Sequence, residues 1–341
     1  MIQSTLQKLI ERRHLTEDEA VEMMTRIMDG EATPSQIAGL LTALRMKGEI
    51  VDEFTGFARV MRARSVHVPT TRRPLVDTCG TGGDLCKTFN ISTAAAFVVA
   101  AAGVGVAKHG NRSVTSKCGS ADVLEALGIR LDLNPAQVGR AIDEVGIGFL
   151  FARAHHPAMK QVAGPRQELG IRTVFNALGP LTNPAGARRQ LIGVYDPDLC
   201  PLLARVLGNL GSEHVLVVHG ADGLDEISTL GETTVTELKN GELRTYTLTP
   251  EALGLATAAP SDIGAGATPD ENAALLLPVL EGQPGPRRDI VLANAAAALL
   301  VAGVAETLTA GVARAGSLID DGSARAKLEA LRRFTQEAAG A

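Results

Sequence analysis

Glycines, hydroxyl side chains and fixed cations concentrate in two stretches of this sequence, in residue types that suit an anionic ligand. The first stretch, DTCGTGGDLCKTFNIST over residues 77–93, places Gly80, Gly82 and Gly83 beside Asp84. Glycines let successive backbone N–H groups turn toward one point and form a nest for phosphate oxygens. A carboxylate beside such a nest implies a shared cation or a sugar hydroxyl. Asn90, Ile91, Ser92 and Thr93 come next, ahead of an alanine- and valine-rich run. Their N–H groups and hydroxyls are therefore expected at a helix N-terminus, where phosphate is favoured. Ser92 could instead reach a metal ion. Taken alone, this stretch reads equally as a glycine turn followed by an N-cap.

The second stretch, KHGNRSVTSKCGSAD over residues 108–122, shifts that balance. Lys108 and Arg112 supply charge, Asn111, Ser113, Thr115, Ser116 and Ser120 supply neutral hydrogen bonds, and Gly110 and Gly119 permit close backbone approach. Two such loops flanking one helix-length run are expected at neighbouring strand ends, facing a common polyanion. A third feature is Asp225-Glu226 in HGADGLDEIS. An acidic pair is often only a solvated surface, but beside two phosphate-binding loops it points to Mg2+ shared with substrate oxygens. Arg166 could pair bidentately with a carboxylate. His155-His156-Pro157 reads as structural or functional with equal ease. The cysteines and histidines lack zinc-ligand spacing, and GxGxxG, GxSxG, Walker-lysine and HExxH motifs are absent.

The elements that must position these residues can be read from capping and periodicity. Ser4 with Gln7, Thr16 with Glu19, and Thr33-Pro34 with Gln36 predict three helix starts. Val21, Met24, Ile27 and Met28 form one apolar stripe, and Ile37, Leu40, Leu41 and Leu44 another. An all-α domain is expected over residues 1–70, closed by a linker with Pro69. From Pro74 the pattern becomes short apolar strands alternating with helices, which predicts an α/β domain with a central, mainly parallel sheet over residues 74–162 and 189–341. Strands are expected at 75–78, 104–107, 147–151, 191–195 and 215–218, with a hairpin around Asn240-Gly241. The segment AGPRQELGIRTVFNALGPLTNPAGAR, residues 163–188, fits neither pattern and is expected to return to the helical domain.

Bulk properties restrict the function classes. The 341 residues are 45% hydrophobic and 21% charged, an ordinary globular balance long enough for two domains. A net charge of -5 requires anion binding to come from local placement of cations and disfavours nonspecific nucleic-acid binding. Four cysteines without a CxxC pair, and no apolar leader, fit a cytoplasmic protein. The most apolar run, 290–304, is shorter than the ~20 residues of a membrane span and is expected as a buried helix.

DTCGTGGD, NIST, KHGNRSVTSKCGSADVLEALG, GPRQELGIRTVFNALGPLTNPA and GLDE, in this order and spacing, closely resemble the anthranilate phosphoribosyltransferases. The resemblance covers nearly the whole chain. It implies a small α domain joined to a nucleoside phosphorylase-like α/β domain and a homodimer through the α domains. The implied reaction is transfer of the phosphoribosyl group of 5-phosphoribosyl 1-diphosphate to the amine of anthranilate, in tryptophan biosynthesis. By motif matching, Gly80, Gly82, Gly83, Asp84, Thr88, Asn90, Ile91, Ser92, Thr93, Lys108, His109, Gly110, Asn111, Arg112, Ser113, Val114, Thr115, Ser116 and Ser120 would hold the donor. Ser92, Asp225 and Glu226 would bind Mg2+, and Asn111 and Arg166 would meet anthranilate, with no dedicated acid or base. Cys118 and Cys86-Lys87 depart from the family pattern without touching the chemistry, although Cys79, Cys86 and Cys118 near one site could make it sensitive to oxidation. A pyrimidine nucleoside phosphorylase shares a similar KH loop but is expected to be longer. A noncatalytic nucleic-acid-binding relative would have an eroded GTGGD or acidic pair and a basic surface.

Overall fold

Caps and apolar stripes set the first layer. In a computed structural model, which describes residues 2–83, 87–113 and 118–339, four helices open the chain. They are α1 (Ile2–Ile10), α2 (Glu17–Met28), α3 (Pro34–Lys47) and α4 (Val51–Ala63). Thr16 and Thr33 close reciprocal capping boxes with Glu19 and Gln36, each satisfying N–H groups that the first turn leaves free. Ser4 does not cap: α1 already runs from Ile2, and Gln7 donates forward to Glu11. With Ser4 inside α1, the expected helix start at Ser4 is corrected.

The chain then alternates β1 (Leu75–Asp77), α5 (Ile91–Ala101), β2 (Gly105–Gly110), α6 (Ser120–Ala126), α7 (Pro135–Glu144) and β3 (Ile147–Phe151). Short helices α8 (Ala152–His155), α9 (Lys160–Leu169) and α10 (Phe175–Leu178) follow. After them come β4 (Arg189–Gly193), α11 (Leu199–Asn209), β5 (His214–Gly220), β6 (Thr233–Lys239) and β7 (Glu242–Leu248). Helices α12 (Pro269–Leu280), α13 (Pro286–Ala302), α14 (Leu308–Asp320) and α15 (Ser323–Ala339) complete the chain.

The seven strands form one sheet in the order β3-β2-β1-β4-β5-β6-β7. The first five run parallel, and β6 and β7 add antiparallel through the Asn240-Gly241 turn, where both residues have positive φ. Alternation in β5 divides the core: Leu216 and Val218 face the layer of α5 and α13, whereas Val215 and Val217 face α11 and the N-terminal helices. The sheet thus shares one core with the helical bundle. Val162, Val174, Phe175, Leu178 and Leu181 lie in that same core beside Leu40 and Phe57. Arg62 on α4 reaches the Leu181 carbonyl at 2.6 Å. Strand order puts β1 between β2 and β4, so the loops leaving β1, β2 and β5 emerge along one sheet edge, where ligands bind in open parallel sheets.

Candidate active site

The loop after β1 is held by the segment after β5. Gly82, at φ 67°, donates its N–H to Asp225 Oδ2 at 2.8 Å, and Thr81 donates to the Gly193 carbonyl at 2.9 Å. Contact is tight enough to dictate residue type. A Cβ on Gly80 would lie 2.7 Å from Asp225 Oδ2, and one on Gly193 would lie 1.5 Å from the Asp225 carbonyl oxygen. Glu226 accepts the N–H of Ser92 at 3.1 Å, in the first turn of α5. Both acids therefore sit on backbone N–H groups of the kind that suit anions.

Lys108 closes the group from β2. Its Nζ donates to the Thr78 carbonyl at 2.7 Å and lies 3.3 Å from both Thr78 Oγ1 and Ser92 Oγ. Burial pulls the Lys108 pKa down, opposed by Cys79, Asp77, Glu226 and Asp225. Burial, then Asp225, pushes the Glu226 carboxyl up, opposed by Lys108 and Ser92. A cation and two acids crowded at low exposure form a site whose balance an added divalent ion or polyanion would change. Asn90 Oδ1 and Thr93 Oγ1 are buried without partners among the described residues at the same helix start. Ser92 Oγ, Asp225 and Glu226 are oxygen donors of the kind that suits Mg2+. Asn90 also bridges the loops, since its Nδ2 donates to the Cys118 carbonyl at 3.3 Å.

In the second loop, an acid that the sequence reading passed over does the organising. Asp122 accepts N–H groups of Gly119 at 2.8 Å and Ser113 at 3.1 Å, and Arg112 Nη1 at 2.9 Å. Burial raises its pKa, but the Gly119 and Ser113 N–H groups and Arg112 outweigh that and hold it low. Arg112 is further engaged by Glu125 at 2.7 Å. Its guanidinium is therefore paired with two acids of α6. Ser120 Oγ donates to the Asn111 carbonyl at 3.3 Å, and the Asn111 side chain turns back onto the Arg112 N–H. Gly110 must stay glycine because a Cβ would meet Ser120 Oγ at 2.3 Å. Thr88 bridges to Gly264 along the backbone, and Ile91 is core. Asp84, Val114, Thr115 and Ser116, and also Cys86, lie outside the described residues.

Beside Lys108 the surroundings turn from charged to neutral. Buried His109 lies against the Gly179 backbone carbonyl, which favours its protonated form, and His156 Nε2 is buried without a partner among the described residues. The two rings are 5.2 Å apart at 56°. Burial, followed by the neighbouring imidazoles, takes His109 down to about 3 and His156 to about 4, so both are neutral at pH 7. Of the histidine pair in the sequence, His155 is structural, with Nδ1 on the Val66 carbonyl at 3.0 Å, and His156 is the one that joins the site. Asp77, Cys79 and His109 place donor atoms within 4.8 Å of one another. Asp77 is committed to the His109 N–H at 3.0 Å and Asn183 Nδ2 at 2.8 Å, and burial raises the Cys79 thiol far above its usual range. That trio therefore braces β1 against β2 rather than holding an ion.

Arg166, on α9, lies 5.5 Å from the Phe175 ring centroid and has no salt bridge among the described residues. A half-buried guanidinium without a carboxylate suits an anionic ligand group. Another residue missed from sequence is Asn294. Fully buried on α13, it pairs with both the N–H and the carbonyl of Ile227 at 2.9 Å, fixing the chain one residue beyond Glu226. An asparagine in an alanine-rich buried helix was the available signal.

Residues 72–325 match a family model described as glycosyl transferase family, a/b domain, and residues 3–65 match its helical bundle domain. The chain is 60% identical over 331 residues to anthranilate phosphoribosyltransferase of Moorella thermoacetica, covering 97% of each chain. It is 59% identical over 334 residues to that of Symbiobacterium thermophilum, covering 98% of each. Among solved structures, anthranilate phosphoribosyltransferase from Thermus thermophilus superposes with a TM-score of 0.92 at 47% identity, over 97% of this chain and 99% of that one. The Saccharomyces cerevisiae enzyme in complex with PRPP and Mg superposes with a TM-score of 0.89 at 29% identity, over 98% of both.

Proposed function

The chain belongs to the anthranilate phosphoribosyltransferases of the glycosyl transferase family, and from that premise we propose how its residues carry the reaction. It transfers the phosphoribosyl group of 5-phosphoribosyl 1-diphosphate to the amine of anthranilate and releases diphosphate. The observation that carries the residue assignment is the convergence of Gly82, Ser92, Lys108, Asp225 and Glu226 in one chain of contacts.

Gly80, Gly82 and Gly83, with Ser92 and Thr93 at the start of α5, receive the diphosphate. Lys108 supplies the fixed cation, held in place by the Thr78 carbonyl. Asp225, Glu226 and Ser92 hold Mg2+, which when bound supplies positive charge to the departing diphosphate. The backbone N–H groups of Gly82 and Ser92, which the acids hold here, would then be open to phosphate oxygens. Breaking the anomeric C–O bond develops negative charge on the leaving group and positive charge on the ribose, so charge stabilisation and positioning carry the rate. Arg166 holds the anthranilate carboxylate and aims the amine, and Asn111 of the loop after β2 also meets anthranilate. Neutral His109 and His156 line this side of the site without adding charge. An aromatic amine is a neutral nucleophile at pH 7, so no strong base is needed.

The helical bundle with residues 163–188 forms one unit on this reading, and the α/β sheet the other. A homodimer through the bundle fits the exposed apolar side chains of Ile10 and Met46. Among the described residues no helix is long and apolar enough to cross a membrane, and a cytoplasmic location fits a pathway using phosphorylated intermediates. The test is loss of anthranilate fluorescence on mixing the protein with phosphoribosyl diphosphate and Mg2+. Unchanged fluorescence, or phosphate-dependent cleavage of thymidine instead, would overturn the assignment.

A further inference from the structure

We propose that Arg172 is a positioning residue that fixes the diphosphate-binding glycine loop from the acceptor side of the site; this rests on the function proposed above. The loop has four tethers among the described residues. Three come from the segments after β4 and β5: the Thr81 N–H on the Gly193 carbonyl, the Tyr195 N–H on Thr81 Oγ1 at 3.2 Å, and the Gly82 N–H on Asp225. The fourth is Arg172 Nη2, which donates to the Gly83 carbonyl at 2.6 Å.

Gly82 and Gly83 are consecutive residues at positive φ, 67° and 82°, with no strand or helix to orient the Gly83 carbonyl. Glycines in such a turn lose more conformational freedom on ordering than other residues. A guanidinium on that carbonyl sets the orientation of the peptide plane before any ligand arrives. The guanidinium is itself fixed, because it lies 4.2 Å from the centroid of the Tyr195 ring. Its backbone is pinned one residue later, where the Thr173 N–H donates to Asn176 Oδ1 at 2.9 Å. Tyr195 lies within electrostatic reach of Arg45 and Glu49 near the end of α3, so the clasp stands at the seam between bundle and sheet. Arg172 follows α9, the helix bearing Arg166, by three residues. One segment thereby grips the donor loop and also presents the acceptor's partner.

Without this clasp, ordering of Gly82 and Gly83 is deferred to donor binding and weakens it. Arg172→Ala should raise the KM for phosphoribosyl diphosphate at least fivefold. The KM for anthranilate should stay within twofold, and the Tm should be unchanged because Arg172 is exposed. Arg172→Lys should recover part of the loss, restoring a donor but not a planar group stacked on Tyr195. Tyr195→Phe should behave as the parent, and Tyr195→Ala should shift in the direction of Arg172→Ala. Calorimetric titration with phosphoribosyl diphosphate and Mg2+ should show the same order of affinities. Donor affinity of Arg172→Ala within twofold of an active parent overturns the clasp, as does an equal rise in both KM values with a fall in Tm. A parent that fails to consume anthranilate overturns the assigned reaction instead, and titration of the donor still decides the clasp.

Discussion

Gly82 and Asp225, 143 residues apart in sequence, meet through one hydrogen bond of 2.8 Å from backbone N–H to carboxylate. A carboxylate thus lies where the glycine loop would receive a phosphate oxygen, and the same exchange is repeated between Ser92 and Glu226. The acids serve two partners in turn, the loops and the metal, and this duality governs the first predictions.

Asp225→Asn combined with Glu226→Gln keeps acceptors for the two N–H groups but removes the charge that draws Mg2+. Half-maximal activity should require about 10- to 100-fold more Mg2+, with stability little changed, since both acids are partly exposed. Activity measured against Mg2+ concentration checks this, and full activity at limiting Mg2+ would refute the metal assignment.

Gly80→Ala inserts a methyl group 2.7 Å from Asp225 Oδ2. The carboxylate can swing away, so thermal stability should change little, whereas kcat/KM should fall about tenfold or more because displacements near 1 Å cost up to about 10²-fold. Comparing Tm with turnover separates the two effects. A large loss of Tm would mean that the loop, rather than Asp225, had yielded.

Arg166→Ala should raise the KM for anthranilate by about 10- to 100-fold, the range of a charge-assisted hydrogen bond of about 1.5–3 kcal/mol. The KM for phosphoribosyl diphosphate should change far less. Steady-state kinetics with each substrate varied in turn decides the matter, and an unmoved anthranilate KM removes Arg166 from carboxylate binding.

Asn294→Ala leaves the N–H and carbonyl of Ile227 buried without their partners. A loss of about 2–4 kcal/mol in denaturant stability is expected, together with reduced turnover as Asp225 and Glu226 lose their anchor. Parent-like turnover in protein that remains folded would show that the acids are fixed by other contacts.

Acid should destabilise the fold through the neutral imidazoles. His109 and His156 titrate near 3 and 4 in the folded chain but near 6.5 when unfolded, so below pH 6.5 the unfolded state takes up more protons and stability falls. Asp77 works in the opposite direction: burial raises it to about 6, so it gains protons in the folded state before the unfolded one. From pH 7 to pH 5 the histidines together remove about 4 kcal/mol, and Glu226, which burial raises to about 8, joins Asp77 in offsetting that loss. Urea unfolding at the two pH values should therefore show His156→Gln gaining about 2 kcal/mol on the parent between pH 7 and pH 5. An identical pH response in parent and variant would contradict a buried neutral His156.

Local chemistry made much of this protein legible in its sequence. Thr16 and Thr33 announce their helices because a cap is satisfied within three residues, and Asn240-Gly241 announces a hairpin because only such residues adopt its left-handed turn readily. The glycine loop, Lys108 and the acidic pair could be named because phosphate, cation and carboxylate restrict which residue types can serve. What the chain could not disclose locally was how its hydrogen-bonding groups divide among competing partners. Arg112 is drawn to Asp122 and Glu125 on the adjoining helix, His156 rather than His155 turns toward His109, and Asn294 and Arg172 reach backbone groups far away in sequence. Those choices depend on strand order and on which side chains the shared core brings within 3 Å, so residue type set the available chemistry and only tertiary packing decided who meets whom.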